Sequence, residues 1–183
     1  MRRVHRIVGL CCIGMLAACG DAGPAFAPES ASLAVGDGPL RLTGSGHHTR
    51  TVGTETEPTT FSFSAVRQAD GSTTGRYQYD FRAAGFAIHG SVTCLTTDGV
   101  QAWVGGVVDQ VLTDDPSFEA QLLGVDMWWR SKDLGEGTIS VDSTTGLGFK
   151  FATTAITAES WCRDKPASLV MRAVENGNIQ LVE

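Results

Sequence analysis

From Phe61 the chain alternates: Phe61, Phe63 and Ala65 are apolar, Ser62 and Ser64 between them are polar, and Val66 ends the run. A period of two puts alternate side chains on opposite faces of a strand. Asp70-Gly71 supplies a turn, because Gly accepts positive φ and Asp tolerates it. Tyr77, Tyr79 and Phe81 then interleave with Arg76, Gln78, Asp80 and Arg82, and aromatic residues suit a half-buried pleated surface. After the break at Ala83-Ala84-Gly85, a longer strand is predicted over 86–97, with Ile88, Val92 and Cys94 on one face. Asp98-Gly99 turns it into a fourth strand carrying Val100, Ala102 and Val104 and running to Val108. Gly90, Gly105 and Gly106 lie inside these strands, which predicts a bulge, a bend or the close approach of another backbone. The four segments read as an antiparallel meander.

The flanks extend this pattern. A first strand is predicted over 40–46, ending in Gly44-Ser45-Gly46-His47-His48. The two Gly have the spacing of a phosphate loop, but Thr49 stands where the third Gly belongs and no helix follows. Adjacent His on a strand point to opposite faces and chelate one ion poorly, so a polar loop is expected there and no metal. The polar stretch 109–119 contains Asp114-Asp115-Pro116, read as a solvated turn rather than a general acid and base. A strand is predicted over 121–130, with Leu123, Val125, Met127 and Trp129 on one face and Leu122 and Trp128 on the other; core or rim packing is expected of the Trp pair. Glu136, between Gly135 and Gly137, is expected to cap a loop. Segments 138–142 and 147–151 read as a hairpin across 143–146, with Ile139 and Val141 facing Leu147, Phe149 and Phe151. Ala158, Trp161 and Cys162 have helical spacing, and Thr157 is a suitable cap, so one short helix is expected over 157–163. Two last strands, 169–174 and 179–182, are expected to pair through Glu175-Asn176-Gly177-Asn178, since Asn-Gly favours hairpins.

About nine or ten antiparallel strands with short turns make a single all-β domain, either a barrel or a two-sheet sandwich. Sequential hairpins and the removal of exposed edges favour the barrel.

The N-terminus reads as a targeting segment. Arg2, Arg3 and Arg6 precede a short apolar run over 7–18, too short for a comfortable membrane span. The run ends in Leu16-Ala17-Ala18-Cys19-Gly20, which resembles the bacterial lipobox. The resemblance implies diacylation of Cys19 and cleavage before it; two or more acyl chains give stable anchoring. The alternative is an ordinary secretory signal cut after Ala18 or Ala27, which would leave a secreted or periplasmic soluble protein. Gly20 does not resemble the Asp of the enteric inner-membrane retention signal, which leaves the outer membrane open. Residues 19–38 are rich in Gly, Ala, Pro and Ser and read as a linker, followed by one domain over 39–183. The leader carries three of the 14 Lys and Arg and none of the 20 Asp and Glu, so the mature chain has net charge 11 − 20 = −9. An acidic chain repels phosphate backbones, so no nucleic-acid partner is expected. The membrane, reached through the N-terminal lipid, is the expected partner.

Cys11 and Cys12 leave with the signal and Cys19 takes lipid. Cys94 and Cys162 remain, and two thiols in an exported domain are expected to pair. A redox or metal role is the weaker alternative, since there is no CxxC and no neighbouring His cluster.

Thr60-Phe61-Ser62-Phe63-Ser64-Ala65, the run from His89 to Leu95, Gly105-Gly106-Val107-Val108, Gly135-Glu136-Gly137, Trp161-Cys162 and Gly177-Asn178-Ile179-Gln180 together resemble a family of uncharacterised exported bacterial all-β domains. The blocks span 60–180. The resemblance implies one all-β domain with a Cys pair and brings no catalytic residues. The leading expectation is therefore a non-enzymatic cell-envelope lipoprotein, a structural or binding module without catalytic residues, metal or cofactor. The alternative is a carrier holding a small apolar ligand inside the barrel, lined by Tyr77, Tyr79, Phe81, Trp103 and Trp129. A hydrolase built on His89 with Asp or Glu ranks last, because no Gly-x-Ser-x-Gly elbow or His/Cys pairing is present.

Overall fold

The alternation continues beyond the predicted ends of the strands. In the computed structural model, which describes residues 39–52, 54–135 and 141–183, β1 runs over Leu40–Val52 and β2 over Glu55–Arg67. They pair antiparallel without a register shift, from Leu40 opposite Arg67 to Val52 opposite Glu55. β3 is Thr73–Phe81, β4 Phe86–Asp98 and β5 Gln101–Thr113. β6 (Asp126–Lys132), β7 (Ser143–Thr145), β8 (Gly148–Phe149), β9 (Met171–Ala173) and β10 (Glu175–Val182) complete one antiparallel sheet. Its order is β10-β1-β2-β3-β4-β5-β6-β7-β9, with β8 on β6. The fold is a nearly closed barrel, not a two-sheet sandwich. The signal segment, Cys19, the linker, Glu136, Gly137 and Ile139 lie outside the described residues.

The inward positions form one core. Leu42, Phe61, Tyr79, Ile88, Val104, Met127, Trp129 and Ile179 are at most 1% exposed, and the Phe61, Tyr79 and Trp129 rings are in mutual or chained contact at centroid distances of 5.8 and 6.1 Å. Such packing fills the middle of the barrel. Two of the strand glycines make room for it. A Cβ on Gly90 would strike the Tyr77 ring and the Val107 carbonyl, and one on Gly106 would press the same ring. Tyr77 thereby reaches across two strands, and its hydroxyl donates to the Val107 carbonyl at 3.0 Å. Register shifts follow at His89/Gly90 and Val92/Cys94.

Three expectations fail for local reasons. The segment 121–130 is not one strand: helix α1, Pro116–Leu122, occupies its start. Asp115 is the cap, accepting from the Ser117 and Phe118 amides at 2.9 and 3.3 Å, and Pro116 sits at the first helical position, where its missing N–H costs nothing. Leu123 consequently ends exposed, while Leu122 packs into the core. The hairpin across 143–146 also fails, because Ser143–Thr145 is itself a strand, between β6 and β9. Nor do the last two strands pair with each other. β9 lies on β7, and after the single residue Val174 the chain continues as β10 on β1. Asn176, at φ 46°, and Gly177 form an irregularity in β10 instead of a turn. A Cβ on Gly177 would run into the Ser45 carbonyl. The positive-φ chemistry of Asn-Gly is real, but it serves a bulge that lets one continuous segment bridge the two ends of the sheet.

This bridge closes the barrel with side chains. The Ile179 amide donates to Asp142 Oδ2 and the Leu181 amide to Asp133 Oδ2, both at 2.7 Å. The other oxygens of these carboxylates accept from Leu134 (2.9 Å) and Gly135 (2.8 Å). Main-chain amides of β10 that do not donate to β1 thus find carboxylates.

Helix α2, Ala158–Asp164, lies on the outer face of β4, β5 and β6. As expected, Thr157 caps it, accepting from the Ser160 amide at 3.1 Å while Ser160 Oγ accepts from the Thr157 amide at 2.9 Å. Cys94 and Cys162 form a disulfide that ties α2 to β4. Trp161 stacks on Trp128 at 6.0 Å and donates from Nε1 to the Trp129 carbonyl at 2.9 Å.

Candidate ligand site at one end of the barrel

β1 has the same inward phase throughout: Leu40, Leu42, Gly44, Gly46, His48 and Arg50. The first two are core; the last two arrive at one end of the barrel, where the packed interior gives way to a cavity of about 360 Å³. His48, Arg50, Phe81, Phe86, Leu147, Phe149, Leu169, Val170 and Arg172 line it, with Gly146 and Ser168. Beside it, α1 covers part of the same end: Phe118 meets the Phe86 ring edge-on at 4.8 Å, and Phe86 stacks on Phe81 at 4.6 Å.

His47 and His48 point to opposite faces, as adjacent strand residues must. His47 is outside, with Nε2 at 3.3 Å from Glu175. His48 is inside and 1% exposed, and neither ring nitrogen has a hydrogen-bond partner among the described residues. It packs on Phe61 at 6.1 Å and faces Thr59 across the β1–β2 pair. Burial first, then the Arg172 and Arg50 guanidinium groups, lower its pKa to about 4; Glu175 and the Thr49 backbone oppose them. Arg50 spans 2.9 Å to Glu57 and lies 5.0 Å from the centre of the Phe81 ring, while its Nε is buried without a partner.

The low pKa has a consequence for folding. An unfolded His titrates near about 6.5. Between that value and about 4 the unfolded chain holds a proton that the folded chain refuses, so stability falls as pH drops through this window. His48 alone should account for a loss of about 2 kcal/mol between pH 7 and pH 4.5. His48→Gln should remove that part of the fall in urea titrations at the two pH values. An unchanged fall in the variant would assign it entirely to carboxylates.

The five aromatic residues expected to line an interior pocket are divided. Tyr77, Tyr79 and Trp129 are in the packed middle, where burial raises both phenol pKa values. Phe81 reaches the cavity. Trp103 is not inside: it is out of phase with the inward Val104 and belongs to the outer cluster with Trp128 and Trp161. Arg130 and Lys165 approach its ring at 5.9 and 6.0 Å, and its Nε1 donates to the Pro166 carbonyl at 2.9 Å. His89, the candidate for hydrolysis, is on the outer face of β4 between Gln78 and Gln110.

Arg50, Phe86, Phe149, Leu169 and Arg172 were not among the expected site residues. Arg50 was legible, since it extends the phase of Leu40 and Leu42 past the predicted strand end. The others come from separate elements that only the closed barrel brings together. No protein-family model matches the chain, and no curated protein or solved structure is significantly similar to it.

Proposed function

We propose that the protein is a non-enzymatic binding module of the bacterial cell envelope, anchored through lipid on Cys19 and taking a small ligand at the open end of its barrel. The observation that carries the binding reading is the contrast between the two parts of the interior. Its middle is filled by aromatic side chains, whereas the end holds a lined cavity with a buried, unpartnered His48. Leaving a buried polar group unsatisfied is costly, and such groups cluster where function uses them. The filled middle favours a ligand held at the mouth over one enclosed along the axis. His48 is flanked by cations and has no carboxylate orienting either nitrogen among the described residues, which favours binding over general-base chemistry. The lipobox-like run and the resemblance to exported all-β domains support the envelope assignment.

Native mass spectrometry of the exported chain should detect a bound small molecule. Ser168 is exposed at the cavity wall, so Ser168→Trp should preserve the fold and abolish the adduct. An exported chain without any adduct, or a Ser168→Trp variant that keeps it, would count against a ligand at the mouth. Separately, Cys19→Ala should move the protein from the membrane fraction to the soluble fraction. Continued sedimentation of this variant with membranes would remove the anchor from the proposal.

A further inference from the structure

We infer that the mouth cavity binds a small amphipathic monocarboxylate, with its carboxylate on Arg172 and His48 and its apolar body against Phe81, Phe86, Phe149 and Leu169. The inference rests on the reading of the mouth as a ligand site and adds the chemistry of the ligand.

The charges at the mouth set the sign and the number. Among the described residues, His48, Arg50 and Arg172 are the only ionisable ones lining the cavity, and none of the three is acidic. Arg50 is already matched by Glu57 at 2.9 Å. Arg172 donates from Nη1 to the Val170 carbonyl at 3.3 Å and has no carboxylate in ion-pair contact among the described residues. Among the described residues one cation is therefore left to compensate, in a mature chain of net charge 11 − 20 = −9 that otherwise repels anions. A guanidinium offers a planar fork that matches a carboxylate through two parallel hydrogen bonds. Neutral His48 adds one buried N–H donor that has no partner among the described residues.

The walls set the rest of the ligand. Apart from His48, the two Arg, Gly146 and Ser168, every described lining residue is aliphatic or aromatic, and Val170 is 70% exposed. A fully hydrated inorganic anion would leave these walls unused. A volume of about 360 Å³ is near the lower end of the usual range for ligand pockets, about 300–1,000 Å³, which selects a short body over a long acyl chain.

The test is calorimetric titration of 4-phenylbutyrate, octanoate, 4-phenylbutan-1-ol and 4-phenylbutylphosphonate into the full exported chain. If the chain carries acyl groups it is held in nanodiscs, with empty nanodiscs as the blank. Both carboxylates should bind, and the alcohol should bind at least about tenfold more weakly. Arg172→Gln should weaken the carboxylates by about tenfold or more while leaving the alcohol unchanged, and Ser168→Trp should abolish all binding. Equal binding of acid and alcohol, or indifference of the acids to Arg172→Gln, overturns the carboxylate assignment while the mouth remains a ligand site. Tighter binding of the phosphonate than of the carboxylates overturns it in favour of a phosphate-type head. Absence of binding by all four compounds overturns both the assignment and the reading beneath it.

Discussion

Asp142→Ala should destabilise the domain by about 2–4 kcal/mol, because the buried Ile179 amide and the part-buried Leu134 amide lose a charged acceptor at once. The carboxylate is 6% exposed and accepts from Leu134 at 2.9 Å and from Ile179 at 2.7 Å. Among the described residues no strand is paired to β10 on that side to take over, and a carboxylate-bound amide contributes more than a neutral pair. Urea unfolding at neutral pH would measure the effect. Asp142→Asn keeps one acceptor oxygen and should fall between wild type and Ala. Asp133 holds Leu181 in the same way at 2.7 Å, but it is half-buried, so water can replace it and its loss should cost less. A change below about 1 kcal/mol for Asp142→Ala would show that the seam is held by main-chain pairing and core packing instead.

The second large effect concerns the disulfide. Cys94 and Cys162 are 68 residues apart in sequence, and opening a loop of that size should lower stability by about 4 kcal/mol through the unfolded chain. Replacing both with Ala should therefore shift the urea midpoint strongly. Helix α2 should nevertheless stay on the sheet, since the Thr157 capping box and Trp161 are independent of sulfur. The native tryptophan environment, read by near-ultraviolet circular dichroism, should survive in the absence of denaturant. Loss of that signal at unchanged far-ultraviolet signal would mean that the bridge positions α2, rather than merely restricting the unfolded state.

The two effects differ in how visible they are in sequence. The cysteine pair is visible in the sequence, because once the segment read as a leader and the lipobox-like Cys19 are set aside, two thiols remain, and two thiols in a chain read as exported are expected to pair. The carboxylate seam is not. Asp133 and Asp142 look like ordinary loop acids, and their role depends on β10 arriving beside them from the far end of the chain. His48 falls between these cases. Its inward phase follows from parity with Leu40 and Leu42, yet Gly44, Gly46 and the following polar residues suggest a strand already ended. β1 continues because β2 pairs with it to the end, and Arg50 and Glu57 meet inside that pair. Asp115-Pro116 carried a helix start that resembled a turn, since the same residues favour both.

What the sequence alone determined is the all-β character, the β2-to-β5 meander with its Asp70-Gly71 and Asp98-Gly99 turns, the Thr157 cap and the cysteine pair. Each depends on residues close in the chain or on the chemistry of a residue type. The tertiary structure decided how the sheet closes, which side of the wall Trp103 occupies, and which side chains meet at the His48 end of the barrel. Those outcomes depend on pairings such as Gly44 with Ile179 and on the meeting of His48 with Arg172. Local alternation states which face a side chain takes, but only closure of the sheet determines what that face meets.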